Sequence, residues 1–289
     1  MANYRVLPTV RRRRLGDTLR RFRHESKMSL ETAAEAMGWD PAKVSKIENA
    51  KGRIRPSDVG PLLEKYGVTD EVVVTALTRL AEDAQKTGWW QTYGDVAAHA
   101  YRDYISVEAD AKSVRICTPA ILPGLFQTGE YAREIITATA LTRTPEEISA
   151  LVEIRKARQA VLTRPHEPLK FWAVIGEAAL RQRFASRPNL MRSQLLHVLD
   201  MTELPNVTVQ VIPSTTAPNP AMVGVFTLFE FPVPWPTVVN TENLRGGQFA
   251  EDPGEVQIFE EAFERVTVAA LSVDDSRETI TRIMERPEK

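Results

Sequence analysis

Apolar residues recur at three- and four-residue spacing over the first part of the chain, the signature of amphipathic helices. Leu15, Leu19 and Phe22 share one face, Ala33, Ala34 and Met37 a second, Val44 and Ile47 a third, and Leu62, Leu63 and Tyr66 a fourth. The opposite side of the first helix carries Arg20, Arg21 and Arg23, and residues 1–10 ahead of it read as a loose arm. The fourth helix is expected over residues 57–66, with Pro61 tolerable near its first turn. A longer stripe, Val73, Ala76, Leu77, Leu80, Ala81 and Ala84, predicts a helix capped by Thr69-Asp70-Glu71 and stopped at Gly88. It suits a strut between domains or a dimer seam.

From Trp89 onward helical spacing near 100–112, 129–140, 145–163, 177–184, 188–201, 254–270 and 274–285 alternates with β-branched runs. Those runs are Ser113–Cys117, Leu169–Ile175, Val207–Ile212, Val223–Phe231 and Thr237–Asn240. Strands among helices imply a mixed sheet with helical cover. The proline-rich stretches 213–220 and 231–236 read as loops. The fold class is therefore α+β. An all-α domain over 1–68 and a linker helix over 69–88 precede a larger mixed α/β domain over 89–289.

Within the first domain, Ser29 to Lys51 organises the rest. Ser29 can cap one short helix through its hydroxyl, and Gly38 tolerates the positive φ that often ends a helix. Asp40-Pro41 restarts the chain with a carboxylate cap and a ring whose fixed φ suits the first helical position. With Val44 and Ile47 inward, the other faces carry Pro41, Ala42, Lys43, Ser45, Lys46 and Asn49. They are small at the helix start and basic beyond it, as entry into a major groove requires.

These residues carry a resemblance. The run ending Ser45-Lys46-Ile47-Glu48-Asn49-Ala50-Lys51 is similar to the helix-turn-helix of Xre-type regulators, the phage repressor and Cro superfamily, over about Leu15 to Val68. The resemblance implies a DNA-reading surface of Ser29, Pro41, Ala42, Lys43, Ser45, Lys46, Asn49, Lys51, Arg53 and Arg55, with Arg11, Arg12, Arg13 and Arg14 as arm contacts. Leu30 stands where the family often has Gln. Ala50 stands where it has Gly, so Asn49 is expected to supply the left-handed residue.

Charge sharpens the division. Residues 1–66 carry 15 Lys and Arg against 8 Asp and Glu, the remainder 22 against 30, a polarity that the net charge of −1 conceals. A basic head is the footprint of phosphate binding, and an acidic remainder argues against wrapping by nucleic acid.

The second domain resembles a large actinobacterial regulator family that includes the WhiJ-like developmental regulators. The motifs are Pro123-Gly124-Leu125-Phe126-Gln127-Thr128 with Tyr131-Ala132-Arg133, then Arg155, Arg158, Gln159 and Leu162. Glu177-Ala178-Ala179-Leu180-Arg181, Gln194-Leu195-Leu196 and the run Asn206 to Pro213 complete them, with Gly176-Glu177 where the family has Asp-Glu. The resemblance implies an antitoxin-like regulator whose C-terminal domain meets a small protein encoded beside its gene. Physically, Gln127 or Thr128 suits a cap or latch on the next helix, and Arg155 and Arg158 share a face suited to Glu153 or an acidic partner. Trp89, Trp90, Tyr93, Trp172, Phe226, Phe229 and Trp235 read as aromatic core, or alternatively as the lining of an effector pocket. The candidate effector or partner site is Trp89, Trp90, Gln127, Arg155, Arg158, Trp172, Glu177 and Trp235.

Other chemistry is sparse. The four histidines form no metal-ligand spacing, and neither a nucleophile elbow nor a phosphate-cradling glycine loop occurs; Arg245-Gly246-Gly247 is too short. Cys117, the single cysteine, sits in an apolar run and fits a buried thiol in a reducing compartment. No apolar run approaches the ~20 residues that span a bilayer. The expectation is a cytoplasmic, nucleoid-associated transcriptional regulator, a homodimer on operator DNA and a repressor or developmental switch. It is expected to use no metal and no cofactor and not to be an enzyme. The alternatives are a small-molecule-sensing regulator and an enzyme with a DNA-binding head.

Overall fold

The computed structural model describes residues 10–84, 96–97, 99–139, 143–232, 235–243 and 246–285. They fall into two compact units, one of residues 10–84 with Trp235, the other of the described residues from 96 to 232 and 236 to 285. The expected loose arm, Trp89, Trp90 and Tyr93 lie outside the described residues. Among the described residues no helix is long and apolar enough to cross a membrane.

The N-terminal unit holds five helices: α1 (Val10–Glu25), α2 (Leu30–Met37), α3 (Pro41–Glu48), α4 (Pro56–Lys65) and α5 (Glu71–Asp83). Their apolar stripes close one core around Leu19, Val44, Leu62, Leu63 and Leu77. α5, expected as a strut between domains, instead packs against α4 and α1 and buries Leu77, Leu80 and Ala81. α4 begins at Pro56, which leaves Pro61 inside the helix rather than in its first turn. Pro61 has no N–H to reach back four residues, so the carbonyl it frees is that of Ser57, in the first turn of α4.

Gly16 sets the spacing of the unit. A Cβ there would lie 2.6 Å from the Glu48 carbonyl oxygen and 2.7 Å from that of Ile47. Only a glycine lets α1 cross so close to the end of α3.

The C-terminal unit is built on a six-stranded sheet: β1 (Ser113–Thr118), β2 (Lys170–Gly176), β3 (Val207–Ile212), β4 (Phe226–Glu230), β5 (Val238–Asn243) and β6 (Gly246–Ala250). The order is β3-β2-β1-β4-β5-β6, parallel through β1, β2 and β3 and antiparallel from β1 through β4, β5 and β6. The parallel strands are mostly apolar and mostly buried, with Arg115, Thr208 and Gln210 as polar interruptions. Around them run α6 (His99–Asp110), α7 (Gly129–Thr139), α8 (Pro145–Arg158), the single turn α9 (Glu177–Leu180), α10 (Leu190–Met201), α11 (Pro253–Ala269) and α12 (Val273–Glu285).

β6 was not legible in sequence, since Gly246-Gly247-Gln248-Phe249-Ala250 lacks β-branched residues; it is a strand through pairing with β5. Of the described aromatics, Phe226 and Phe229 lie on opposite faces of the sheet. Phe226 meets Phe259 and Phe263 on the α11 side of the sheet, whereas Phe229 meets Tyr104 of α6 on the other. Cys117 is buried under α11, and burial pushes its thiol up to about 12.

Candidate nucleic-acid interface

Helices α2 and α3 form the helix-turn-helix, and local chemistry fixes both ends of each. The Ser29 hydroxyl accepts the Thr32 N–H at 3.1 Å, so its oxygen is already engaged as a cap. Gly38 closes α2 with φ +64°, and the Asp40 carboxylate accepts the Ala42 N–H at 2.7 Å to open α3. Val44 and Ile47 are buried, while Pro41, Ala42, Lys43 and Lys46 are exposed and Ser45 is half-buried. The Lys43 ammonium lies 3.5 Å from the centre of the Trp39 ring, a cation–π contact at the mouth of the turn.

The far end of α3 differs from expectation. Ala50, not Asn49, takes the left-handed conformation, with φ +57° against −92° at Asn49. The left-handed position lies one residue beyond the cap: the Lys51 N–H reaches back to the Lys46 carbonyl at 2.8 Å across Ala50. Asn49 is committed elsewhere. Its amide nitrogen donates to the Ser45 carbonyl at 2.8 Å, and its oxygen accepts from Arg20 at 2.7 Å. Asn49, which stays exposed, thus braces the end of α3 through the Ser45 backbone carbonyl.

Two arginines placed on the outer side of α1 by their spacing turn toward α3 instead. Arg23 forms a two-pronged pair with Glu48 at 2.7 and 2.8 Å, both residues buried. Arg20 donates to the Glu48 carbonyl at 3.1 Å. Glu48 was not a sequence candidate. The available signal was Glu48 itself, which follows Val44 by four positions and so lies on the buried stripe, where a carboxylate requires a partner.

The four-arginine run is not a separate arm but the first turns of α1. Arg14 is buried and stacks 5.1 Å from the ring of the half-buried Trp235. Arg11 donates to the Asp83 carbonyl at 3.3 Å, tying α1 to α5. Arg12 and Arg13 are half-buried. Burial and then the neighbouring Arg53 guanidinium lower the pKa of Arg12, so Arg12 and Arg53 stand together, with Lys51 and Arg55 exposed on the same turn as Arg53. That juxtaposition suits a phosphate.

The C-terminal candidates divide among separate places. Gln127 is buried, donates to the Leu122 carbonyl at 2.7 Å and accepts from Arg155 at 2.7 Å. Arg158 binds buried Glu108 through both prongs at 2.8 and 2.7 Å, and donates to the Tyr101 hydroxyl at 2.9 Å. Glu153, expected beside the arginines, pairs with Lys156. Trp172 lies across the sheet face under α11, its indole N–H donating to Gln210 at 3.0 Å. Glu177 caps a chain reversal by accepting the Ser214 N–H at 2.8 Å and the Arg181 guanidinium at 2.7 Å. Gln127, Arg155 and Arg158 thus share one internal network, and Trp172, Glu177 and Trp235 do not join it.

Comparison with known proteins fits this division. A model described as a helix-turn-helix domain matches residues 14–76. A model described as Domain of unknown function (DUF5753) matches residues 101–282. No curated protein and no solved structure matches the chain. The helix-turn-helix domain, with its exposed lysines and basic turn, supports a DNA-binding regulator. The chain belongs to the family of the DUF5753 domain, here carried behind a helix-turn-helix domain.

Proposed function

We propose that this protein is a sequence-specific transcriptional regulator, a homodimer on operator DNA that acts as an antitoxin-like repressor or developmental switch. In this reading its C-terminal domain is controlled by a small protein partner. It works in the cytoplasm at the nucleoid, with no catalysis, metal or cofactor. The observation that carries the proposal is α3, which presents Pro41, Ala42, Lys43 and Lys46 outward while Arg23 and Glu48 fix it from behind. Small residues at the helix start allow close approach to base edges, and the lysines reach bases or phosphates. Dimerisation follows from operator geometry, because two-fold sites present half-sites about one DNA turn apart.

A second reading makes the C-terminal domain a small-molecule sensor. It is favoured by a cleft of about 520 Å³ beside Trp172, where Lys170 on β2 and Lys112 just ahead of β1 outnumber the carboxylate of Glu167, a lining that suits an anionic effector.

The test is binding to the protein's own promoter region across a salt series. Tight, selective binding with a steep negative slope of log K against log salt is the expected result. Lys46→Ala should cost about 1–3 kcal/mol if the lysine reads a base. Equal binding to scrambled DNA would sink the proposal, and unchanged affinity would remove Lys46 from the site. Release from DNA by a protein, or a melting shift with an organic anion, separates the two control mechanisms.

A further inference from the structure

Exposed large apolar side chains concentrate on one part of the C-terminal unit. Met222 (64% exposed) and Val223 (91%) lie on the turn Pro220–Val223, which packs against α11; Ile258 (65%) and Val268 (87%) stand on α11 itself. Between turn and helix runs a groove of about 650 Å³ with Phe226, Phe259 and Ala262 in its lining. Apolar exposure gathered in this way marks an interaction surface, and single scattered residues would not.

The charged residues along the groove indicate its occupant. Glu242 and Glu261 line it, and Arg265 is the only cation among the described lining residues. Glu255 and Glu264 add exposed carboxylates along the same helix. An apolar floor with an acidic rim fits a basic amphipathic segment. Two copies of this chain would bring their acidic rims face to face. A small ligand seated on the floor would leave Val223 and Val268 in water.

We infer that this groove is the docking site for an amphipathic peptide segment of a protein partner, with apolar anchors at helical spacing and flanking lysines or arginines. The inference rests on the partner-controlled reading above and adds the surface and the chemistry of what it takes. Met222 suits the edge of such a site, because its flexible thioether adapts to the side chain laid against it.

The test uses the full chain and two labelled helical peptides, one of leucine and lysine, the other with glutamate in place of each lysine, followed by fluorescence anisotropy. Val223→Asp and Ile258→Asp alter exposed positions, and circular dichroism checks that each variant folds. An added carboxylate strengthens any indiscriminate attraction for a cationic peptide but spoils an apolar seat. The expected result is binding of the lysine peptide, at least tenfold weaker binding of the glutamate peptide, and a tenfold or greater loss in each variant. Binding unchanged or tightened by the substitutions, or equal for the two peptides, overturns the inference. A dimer in sedimentation that Ile258→Asp dissociates would overturn it in favour of self-association. Operator binding is measured separately without peptide, so failure there with peptide binding intact counts against the regulator and not against the groove.

Discussion

Single residues in the N-terminal unit act through space that only the folded chain defines. Gly16 is open to view as a glycine inside a helical pattern, where alanine would ordinarily be favoured by about 1 kcal/mol. At 2.6 Å from a backbone oxygen, however, a methyl group forces α1 away from α3. Gly16→Ala should therefore destabilise the protein by about 1–3 kcal/mol, as overpacking does, and lower the urea midpoint. A higher midpoint would show that the helices separate freely. Ala50 is the converse case, a side chain held at φ +57° where the family resemblance predicts glycine. Caps are legible one residue at a time because their partners lie two or three positions away, as at Ser29 and Asp40. The Arg23–Glu48 pair spans 25 positions and leaves no such local trace.

At the scale of elements, buried polar pairs hold helices to their neighbours. Arg23 and Glu48 join α1 to α3, so the placement of α3 depends on a pair buried behind its exposed lysines. Glu48→Ala should cost about 3–5 kcal/mol by stranding a buried guanidinium, while the double variant Arg23→Met, Glu48→Leu should regain most of that loss. Chemical denaturation of the three variants measures this, and no recovery in the double variant would refute it. In the other unit the helix α10 is latched by Gln194, which donates to the Phe126 carbonyl at 2.6 Å and accepts the Thr128 N–H at 2.8 Å. The residues of the Pro-Gly-Leu-Phe-Gln-Thr motif are thereby used in holding one helix to another.

Glu177 does similar work at the end of β2. The Ser214 N–H, and after it Arg181, hold its carboxyl below the usual carboxylate range despite partial burial. As pH falls the unfolded chain takes up this proton first, so the stabilisation is complete above the ordinary glutamate value and lost through the lowered folded one. Glu177→Gln should lower stability at neutral pH and converge with the parent protein in acid. Parallel curves from pH 7 to pH 3 would show that the pairing adds nothing.

On the scale of the whole molecule, a basic helical unit that carries the helix-turn-helix is followed by a larger, acidic α+β unit. If the regulator is a dimer, light scattering on a palindromic operator should give two chains per duplex, and one chain would remove dimerisation from the proposal. The sequence by itself determined the helices of the first unit, their caps at Ser29, Gly38 and Asp40, the exposed Pro41, Ala42, Lys43 and Lys46, the α+β class and most strands. All of these follow from periodicity, propensity and charge within a few residues. Only the tertiary structure decided that Arg14 and Arg23 turn inward, that Asn49 braces a helix end, that α5 joins the first core and that β6 exists. It also put Phe226 and Phe229 on opposite faces of the sheet and built the groove beside α11. Each of these depends on groups distant in the chain meeting in space, where burial forces a charge to find a partner and pairing makes a strand of residues with little preference for one.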